Sequence, residues 1–259
     1  MPTVRSQDGT KIAFDRFGEG PAVVLVDGAM CYRSFGPMRP LGEILARNFE
    51  VYTYDRRGRG ESGDTAPYAV AREVEDLEAL ITEAGDAAFV YGLSSGAALA
   101  LEAAASGVAI TKLALYDPPF TAEGGDPQTK QAYSRQLAEL LAAGRRGDAV
   151  RLFMTTVGVP DEAVAGMRSQ PAWPLFEAIA PTLAYDDAIL GDGMVPRERA
   201  AKVTMPTLAI DGEASQGDLR RATKATADAL PNAKYRTLEG QTHDVAPEAL
   251  APVIERFFE

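Results

Sequence analysis

The sequence predicts an α/β fold with a mostly parallel sheet and helices on both faces. Continuous apolar runs, typical of strands buried on both faces, occur at 22–26, 51–54, 88–91, 113–116 and 207–210. Segments with helical periodicity separate these runs, and such β-α-β-α alternation is typical of parallel sheets. An alternating pattern around the turn Asp8-Gly9 predicts two short antiparallel strands at the start, and a weaker run at 234–238 predicts a last strand.

Helical patterns fill the gaps between the strands, at 37–47, 67–83, 97–105, 218–230 and 247–258. Between residues 118 and 196 the strand pattern stops, and helical patterns follow one another at 128–143, 148–156, 161–168 and 173–180. We therefore divide the chain into a core domain, residues 1–118 and 197–259, and a helical cap insertion, residues 119–196. The insertion is expected to pack as a small subdomain and to act as a lid over a pocket.

The composition excludes several classes of function. The 259 residues include 37 acidic and 26 basic side chains, and the net charge of −11 disfavours binding to nucleic acid or an anionic membrane. One cysteine, Cys31, excludes an intramolecular disulfide and a Cys-rich zinc site, and one histidine, His243, excludes a zinc site with two imidazole ligands. We expect no metal, no cofactor and a small-molecule substrate. The N-terminus has no apolar run typical of a signal peptide, which favours a cytoplasmic protein.

The most informative motif is Gly92-Leu93-Ser94-Ser95-Gly96, which follows a predicted buried strand and precedes an Ala-rich helix. A G-x-S-x-G motif in this context is typical of a sharp turn that presents a nucleophilic serine, because only small residues fit beside it. We therefore predict that Ser94 is a nucleophile and that the Ser95 backbone N–H stabilises an oxyanion. A purely structural turn is the alternative.

A nucleophilic serine needs a base, and His243 is the single histidine. It follows the last predicted strand and precedes the terminal helix, which puts it at the carboxyl edge of the sheet with Ser94. A surface histidine is the alternative, but this position favours a catalytic base.

With the serine turn, the late helical insertion and the histidine last, the sequence resembles the α/β-hydrolase family. The segment 54–62, YDRRGRGES, is similar to that family's D-x-R-G-x-G-x-S loop. The resemblance extends over essentially the whole chain, least in the insertion, and implies an eight-stranded sheet and the order Ser–acid–His. The same loop contains a G-x-G-x-x-G pattern at 58–63, but its arginines and its distance from the next helix favour a simple loop over a dinucleotide site.

The acid position departs from the family pattern. The family commonly has G-x-x-D after its seventh strand, whereas residues 212–215 are GEAS, so that Ser215 occupies the acid position. Some members carry the acid directly after strand six, where this chain has Asp117. The resemblance thus implies Asp117 as the residue that orients the imidazole. Three other carboxylates stay open as alternatives: Asp211, Glu213 and Asp218.

The loop after the third strand departs as well, because Asp27-Gly28 stands where the family usually has His-Gly. The backbone N–H of Ala29 is expected to be the second oxyanion donor, since any residue type supplies one. A carboxylate facing the oxyanion would oppose the charge being stabilised. We therefore expect Asp27 to point away and to be paired with Arg56 or Arg57.

The predicted function is hydrolysis of an ester, thioester, lactone or related acyl bond by Ser94, His243 and Asp117. One alternative is a cofactor-independent dioxygenase or a lyase that uses the His243–Asp117 pair, and another is a non-catalytic small-molecule binding protein. The candidate pocket residues suggest an apolar or aromatic acyl group; they are Met30, Tyr32, Phe120, Met154, Trp173, Phe176 and Met194.

Overall fold

The computed structural model describes residues 2–122 and 127–259. Over these residues, eight strands form one sheet in the order β1-β2-β4-β3-β5-β6-β7-β8. Their bounds are β1 Thr3–Arg5, β2 Lys11–Phe17, β3 Ala22–Val26, β4 Glu50–Tyr54, β5 Ala88–Leu93, β6 Ile110–Tyr116, β7 Thr207–Gly212 and β8 Ala233–Leu238. β2 is antiparallel to β1 and to β4, and all other neighbours are parallel. The predicted mostly parallel sheet and its N-terminal hairpin are confirmed.

Helices connect the strands and fill the segment between β6 and β7. Their bounds are α1 Met38–Leu45, α2 Val70–Glu83, α3 Ser95–Ala105, α4 Pro127–Ala142, α5 Arg146–Thr156, α6 Asp161–Met167, α7 Trp173–Ile179, α8 Leu183–Leu190, α9 Arg197–Ala200, α10 Gly217–Ala229 and α11 Pro247–Phe258. The sequence patterns did not predict α8 or the short α9. In the described part of the chain, no helix is both long enough and apolar enough to cross a membrane.

Alternate residues of the central strands face opposite layers of helices, as the period of two requires. Val24 and Val26 of β3 pack into the cluster that contains residues of α2 and α3. Val23 and Leu25 of the same strand pack into the cluster that contains residues of α1 and α11. All four side chains have an exposed fraction of 0%. Burial on both faces explains why the strand is apolar throughout.

The segment 119–196, called the insertion below, carries α4 to α8 between β6 and β7. Its residues 123–126 lie outside the described residues. Its helices share an apolar cluster that also contains Ala29, Met30 and Tyr32 from the loop after β3. The insertion therefore packs on the loop that follows β3, and α8 additionally contacts α2 and α3.

Candidate active site

Ser94 lies at the sharp turn between β5 and α3, with φ 56° and ψ −126°. Positive φ is costly for a residue with a Cβ and is concentrated at functional sites. A Cβ on Gly92 would lie 2.5 Å from the carbonyl oxygen of Gly96, and one on Gly96 would collide with the end of β3. The two glycines are therefore required by close backbone approach, as the motif predicted.

Asp117 follows β6 directly and is fully buried, with φ 45°. His243 Nδ1 lies 3.1 Å from Asp117 Oδ2, and the side chain of His243 is 40% exposed. The Ser94 N–H donates to the Tyr116 carbonyl at 2.9 Å, and the Tyr116 hydroxyl donates to the Thr242 carbonyl at 2.7 Å. One tyrosine thus links the serine turn, the acid and the histidine loop at the carboxyl edge of the sheet.

In the described part of the chain, Ser94 Oγ and His243 share no hydrogen bond. Hydrogen bonds between catalytic groups are commonly long before substrate binds and tighten only in the reacting complex. Asp117 contacts the imidazole at Nδ1, and among the described residues no hydrogen bond engages Nε2.

The other three carboxylates are engaged elsewhere. Asp211 accepts a hydrogen bond from the Tyr235 hydroxyl at 2.5 Å, and Glu213 accepts one from the Gly240 N–H at 3.1 Å. Asp218 is exposed and pairs with Arg221 on the same helix. Among the described residues, none of the three forms a hydrogen bond or an ion pair with His243, and Asp117 is the carboxylate that does.

Ser215, at the family's common acid position, also faces Asp117. Its hydroxyl donates to Asp117 Oδ2 at 2.7 Å, so this oxygen accepts hydrogen bonds from both Ser215 and His243. Sequence reasoning recognised that a serine occupies this position but assigned it no role. The sequence contained a signal for a role of Ser215, because the family commonly carries its acid at this position after the seventh strand and this chain has a hydroxyl there.

The two predicted oxyanion donors lie on either side of Ser94. Ser95 begins α3, and Ala29 follows Gly28, whose Cα lies so close to Ser94 that an added Cβ would be 3.1 Å from the serine Cβ. Over the described residues, neither the Ala29 N–H nor the Ser95 N–H donates to a backbone carbonyl. Two unengaged donors beside a serine form an arrangement that can bind a developing negative charge.

Asp27 corrects one expectation. Its side chain is 2% exposed, and its Oδ1 has no hydrogen-bond partner among the described residues. Arg56 donates to the Asp27 carbonyl at 3.3 Å, so the prediction of a carboxylate paired with Arg56 or Arg57 is wrong. The carboxyl group instead packs against Gly36. Burial raises its pKa to about 7, although the charges of Arg59 and Arg56 act in the opposite direction.

Sequence reasoning missed a layer of buried arginines beneath the site. Arg56, Arg57 and Arg59 have exposed fractions of 1%, 0% and 1%. Arg56 makes two hydrogen bonds to Glu73 at 2.8 and 2.9 Å, while Arg56 and Arg59 each donate to Asp186 of α8, at 2.8 and 2.7 Å. Four charged side chains therefore balance one another where water is excluded.

Asp186 is the one member of this layer that comes from the insertion, and it also accepts a hydrogen bond from Ser95 Oγ at 2.7 Å. Burial alone would raise the pKa of Asp186, but the charges of Arg59 and Arg56 and the Ser95 hydrogen bond hold it below its ordinary value. The signal in the sequence was faint: three arginines occur within four residues, and two adjacent acids, Asp186 and Asp187, lie between apolar positions of α8.

The candidate pocket residues divide into two groups. Five of them share the apolar cluster of the insertion and the loop after β3: Met30, Tyr32, Met154, Trp173 and Phe176. Phe120 instead packs in the core cluster that contains α2 and α3, and Met194 pairs its backbone with Thr121. The role of all seven residues as pocket lining stays a prediction.

The glycines of the segment 58–63 form a loop, as predicted. Gly58 and Gly60 have φ of 74° and 53°, and Asp55 lies directly under Gly60. The Asp55 carboxylate accepts hydrogen bonds from the N–H of Glu61 at 2.9 Å and from the N–H of Arg33 at 2.8 Å. The loop is thus ordered by its own aspartate.

Comparison with known proteins identifies the family of the chain. The model of the alpha/beta hydrolase family matches residues 23–256. The chain belongs to the alpha/beta hydrolase family. A search of curated proteins found no matching sequence.

Solved structures with the same fold are similar over essentially the whole chain. An alpha/beta hydrolase from Sphaerobacter thermophilus is 54% identical, with 100% of both chains covered and a TM-score of 0.89. An esterase from Thermogutta terrifontis is 20% identical, covers 99% of this chain and 97% of its own, and has a TM-score of 0.76. An enol-lactonase from Burkholderia xenovorans is 22% identical, covers 99% of both chains and has a TM-score of 0.69. The last two likenesses concern the fold.

Proposed function

We propose that this hydrolase cleaves an ester, thioester, lactone or related acyl bond of a small substrate with Ser94, His243 and Asp117. The observation that carries the proposal is the contact of 3.1 Å between His243 Nδ1 and Asp117 Oδ2 at the edge where Ser94 occupies its strained turn. The esterase and the enol-lactonase with the same fold support this class of reaction.

In this mechanism His243 Nε2 accepts the proton of Ser94 Oγ as the oxygen attacks the carbonyl carbon of the substrate. Asp117 holds the imidazole in the tautomer with the proton on Nδ1 and stabilises the imidazolium that forms. The Ala29 and Ser95 N–H groups donate to the oxyanion, and one such donor contributes about 3 kcal/mol to lowering the barrier. His243 then gives its proton to the leaving group and activates water to release the acyl group from Ser94.

We assign acyl-group selection to the insertion acting as a cap. The Met30, Tyr32, Met154, Trp173 and Phe176 side chains join the loop after β3 to the insertion, and their chemistry suits an apolar or aromatic acyl group. A series of p-nitrophenyl esters tests this part, with kcat/KM expected to be higher for butyrate and benzoate than for acetate. Equal values across the series would contradict an apolar acyl pocket.

Labelling with a fluorophosphonate tests the nucleophile. The wild-type enzyme is expected to gain one adduct on Ser94, and Ser94→Ala is expected to lose both the adduct and ester hydrolysis. Ser106→Ala, at the exposed far end of α3, is the matched control and keeps both. If the wild type takes no label and turnover survives in Ser94→Ala, a lyase or dioxygenase using the His243–Asp117 pair replaces this proposal.

A further inference from the structure

Asp186 is a buried acceptor that joins the insertion to both sides of the serine turn. Asp186 is 4% exposed and lies on α8, which packs against α3. Its Oδ1 accepts hydrogen bonds from Arg56 Nη1 at 2.8 Å and from Ser95 Oγ at 2.7 Å, and its Oδ2 accepts one from Arg59 Nη2 at 2.7 Å. Both carboxylate oxygens are therefore engaged with the core domain.

The two arginines that bind Asp186 also bind the backbone of the loop after β3. Arg59 Nη1 donates to the Gly28 carbonyl at 2.6 Å and to the Cys31 carbonyl at 3.3 Å. Arg56 Nη1 donates to the Asp27 carbonyl at 3.3 Å. The loop is thus held through three of its carbonyl groups by the two arginines, which are themselves bound to Asp186.

The bond from Arg59 to Gly28 has a directional consequence. The carbonyl of Gly28 and the N–H of Ala29 belong to one peptide unit, and this unit is trans. In a trans peptide the C=O and N–H bonds point in opposite directions. Fixing the Gly28 oxygen on Arg59 therefore turns the Ala29 N–H away from the arginine layer.

The contact with Ser95 acts on the opposite side of the turn. Ser95 Oγ is bound to Asp186, and the backbone N–H of the same residue is the other proposed oxyanion donor. A hydrogen bond that fixes this side chain restrains the first residue of α3. One carboxylate of the insertion thus restrains the peptide groups of both donors.

We infer that Asp186 is a positioning residue that holds the two oxyanion donors, the N–H groups of Ala29 and Ser95, in the orientation the reaction needs. Through Asp186, the insertion controls the placement of these donors. The inference rests on the proposed function, because it concerns the donors assigned there. Asp186 itself touches neither Ser94 nor His243 among the described residues. Its effect is transmitted by Arg59 and Ser95.

The physical advantage is preorganisation. Donors that already point to the place where charge develops stabilise the transition state without further reorganisation. The carboxylate belongs to a balanced set, because Arg56 and Arg59 face Asp186 and Glu73, so its charge is not left free to oppose the oxyanion. A neutral residue at this position would leave the arginines free to shift and the Gly28–Ala29 peptide free to turn.

The variant Asp186→Asn tests the inference, and Asp187→Asn is its matched control. Asp187 is the next residue of α8, and it pairs with Lys130 of α4 inside the insertion. Each substitution removes one carboxylate charge from the same helix: Asp186→Asn removes the ion pairs with Arg56 and Arg59, and Asp187→Asn removes the pair with Lys130. Only the first acts on the arginines that bind the loop after β3. Both variants are compared with wild type in ester hydrolysis, in fluorophosphonate labelling and in affinity for a trifluoromethyl ketone, whose hemiketal adduct with Ser94 carries an oxyanion that mimics the transition state.

For Asp186→Asn, kcat is expected to fall by about 10- to 100-fold, since small displacement of a donor costs less than its full removal. KM should change by less than about threefold, and the affinity for the ketone should fall in parallel with kcat/KM. Asp187→Asn should stay within about twofold of wild type in all three readouts. A purely structural role would lower the amount of folded enzyme without changing kcat per labelled Ser94.

Equal kcat and equal ketone affinity for Asp186→Asn and wild type would overturn the inference and leave the proposed function intact. A wild-type enzyme that takes no label on Ser94 would instead overturn the proposed function, and the inference with it. If Asp186→Asn does not fold, Ser95→Ala decides, since it removes the hydroxyl bond to Asp186 and keeps the backbone N–H. It is expected to lose threefold or more in kcat and in ketone affinity, and no change in either would overturn the inference.

Discussion

Two polar clusters at the same edge of the sheet differ in how completely their groups are bonded. His243 is 40% exposed and is held by a single hydrogen bond to Asp117. Arg57, in the buried layer below, has a side chain that is 0% exposed and donates to Asp76 at 2.8 and 2.7 Å and to Asp8 at 2.9 Å. The difference indicates a division of labour, in which reacting groups keep one side free and supporting groups are fully engaged.

We call the pair of His243 and Asp117 the open cluster. The largest effect is expected when the hydrogen bond between these two residues is changed. Asp117→Asn keeps the volume of the side chain but favours the tautomer that donates from the wrong imidazole nitrogen. We expect kcat to fall by about 10⁴-fold, as for the acid of other serine triads. Steady-state hydrolysis of a p-nitrophenyl ester measures it.

The same variant should leave the fold largely unaffected, and its urea unfolding midpoint provides the control. If kcat falls by less than about tenfold, Asp117 does not orient the base, whatever its distance from the ring. That outcome would also remove the distinction between reacting and supporting clusters.

The second-largest effect is expected for a substitution in the buried arginine layer, and it concerns the free energy of unfolding and not kcat. Arg57→Met leaves the carboxylates of Asp76 and Asp8 without their cation. Breaking a buried ion pair from one side costs about 3–5 kcal/mol of unfolding free energy. Chemical denaturation measures this loss, while kcat at a temperature where the variant is folded should stay within twofold of wild type.

Arg72→Met is the matched control, because Arg72 pairs with Glu75 on the surface of α2 and is 39% exposed. A surface pair of this kind contributes about 0–1 kcal/mol. Similar losses for Arg57→Met and Arg72→Met would mean that burial does not distinguish the two clusters.

The sequence predicted the open cluster better than the buried one for a physical reason. Ser94 and Asp117 each follow a recognisable apolar strand, and parallel strands bring their carboxyl ends to one edge, so local patterns were sufficient. The partners of the arginine layer are set by tertiary contacts: Arg56 and Asp186 are 130 residues apart. Charged side chains in a sequence suggest exposure, and their burial becomes visible only when all partners are in place.

Asp27 failed as a prediction for the opposite reason. The sequence argument assumed that a carboxylate near arginines would be ionised and paired. In the structure Arg56 and Arg59 are already bound to carboxylates and to backbone carbonyls, so no donor is left for it in this region. The competition between partners, which composition does not reveal, decided the outcome.

Asp27 gives the third prediction, which concerns pH and stability. Its pKa is raised by burial from 3.8 to about 7, so between these values the folded chain holds a proton that the unfolded chain has released. The contribution of Asp27 to stability is therefore lost as the pH rises from about 4 to about 7. Asp27→Asn cannot titrate. The unfolding free energy of this variant minus that of the wild type should therefore increase by about 2–3 kcal/mol between pH 5 and pH 8.

Urea unfolding of both proteins at the two pH values measures this difference. The groups that face Asp27 and act on its charge are Arg56, Arg59 and Asp55. A gap that stays constant with pH would show that Asp27 keeps one protonation state in the folded chain throughout.

The smallest effect is expected at Ser215. This residue is a supporting group, but it is hydrogen-bonded to Asp117, the acid of the open cluster. Ser215→Ala removes the hydroxyl that donates to Asp117 Oδ2, and the hydrogen bond from His243 remains. We expect kcat to fall about fivefold, corresponding to roughly 1 kcal/mol for one hydrogen bond. Ester hydrolysis at constant pH measures it, and a fall comparable to that of Asp117→Asn would contradict a supporting role.

A double variant sharpens this last prediction. In Asp117→Asn/Ser215→Asp the carboxylate is moved to the position where the family commonly carries its acid. Because Ser215 Oγ and His243 Nδ1 both contact the same oxygen of Asp117, a carboxylate at position 215 lies within reach of the ring. Recovery of about tenfold or more over Asp117→Asn is expected, since a carboxylate restores the required tautomer. Absence of any recovery would mean that the backbone at Asp117, with its positive φ, provides an approach to the imidazole that the turn after β7 cannot reproduce.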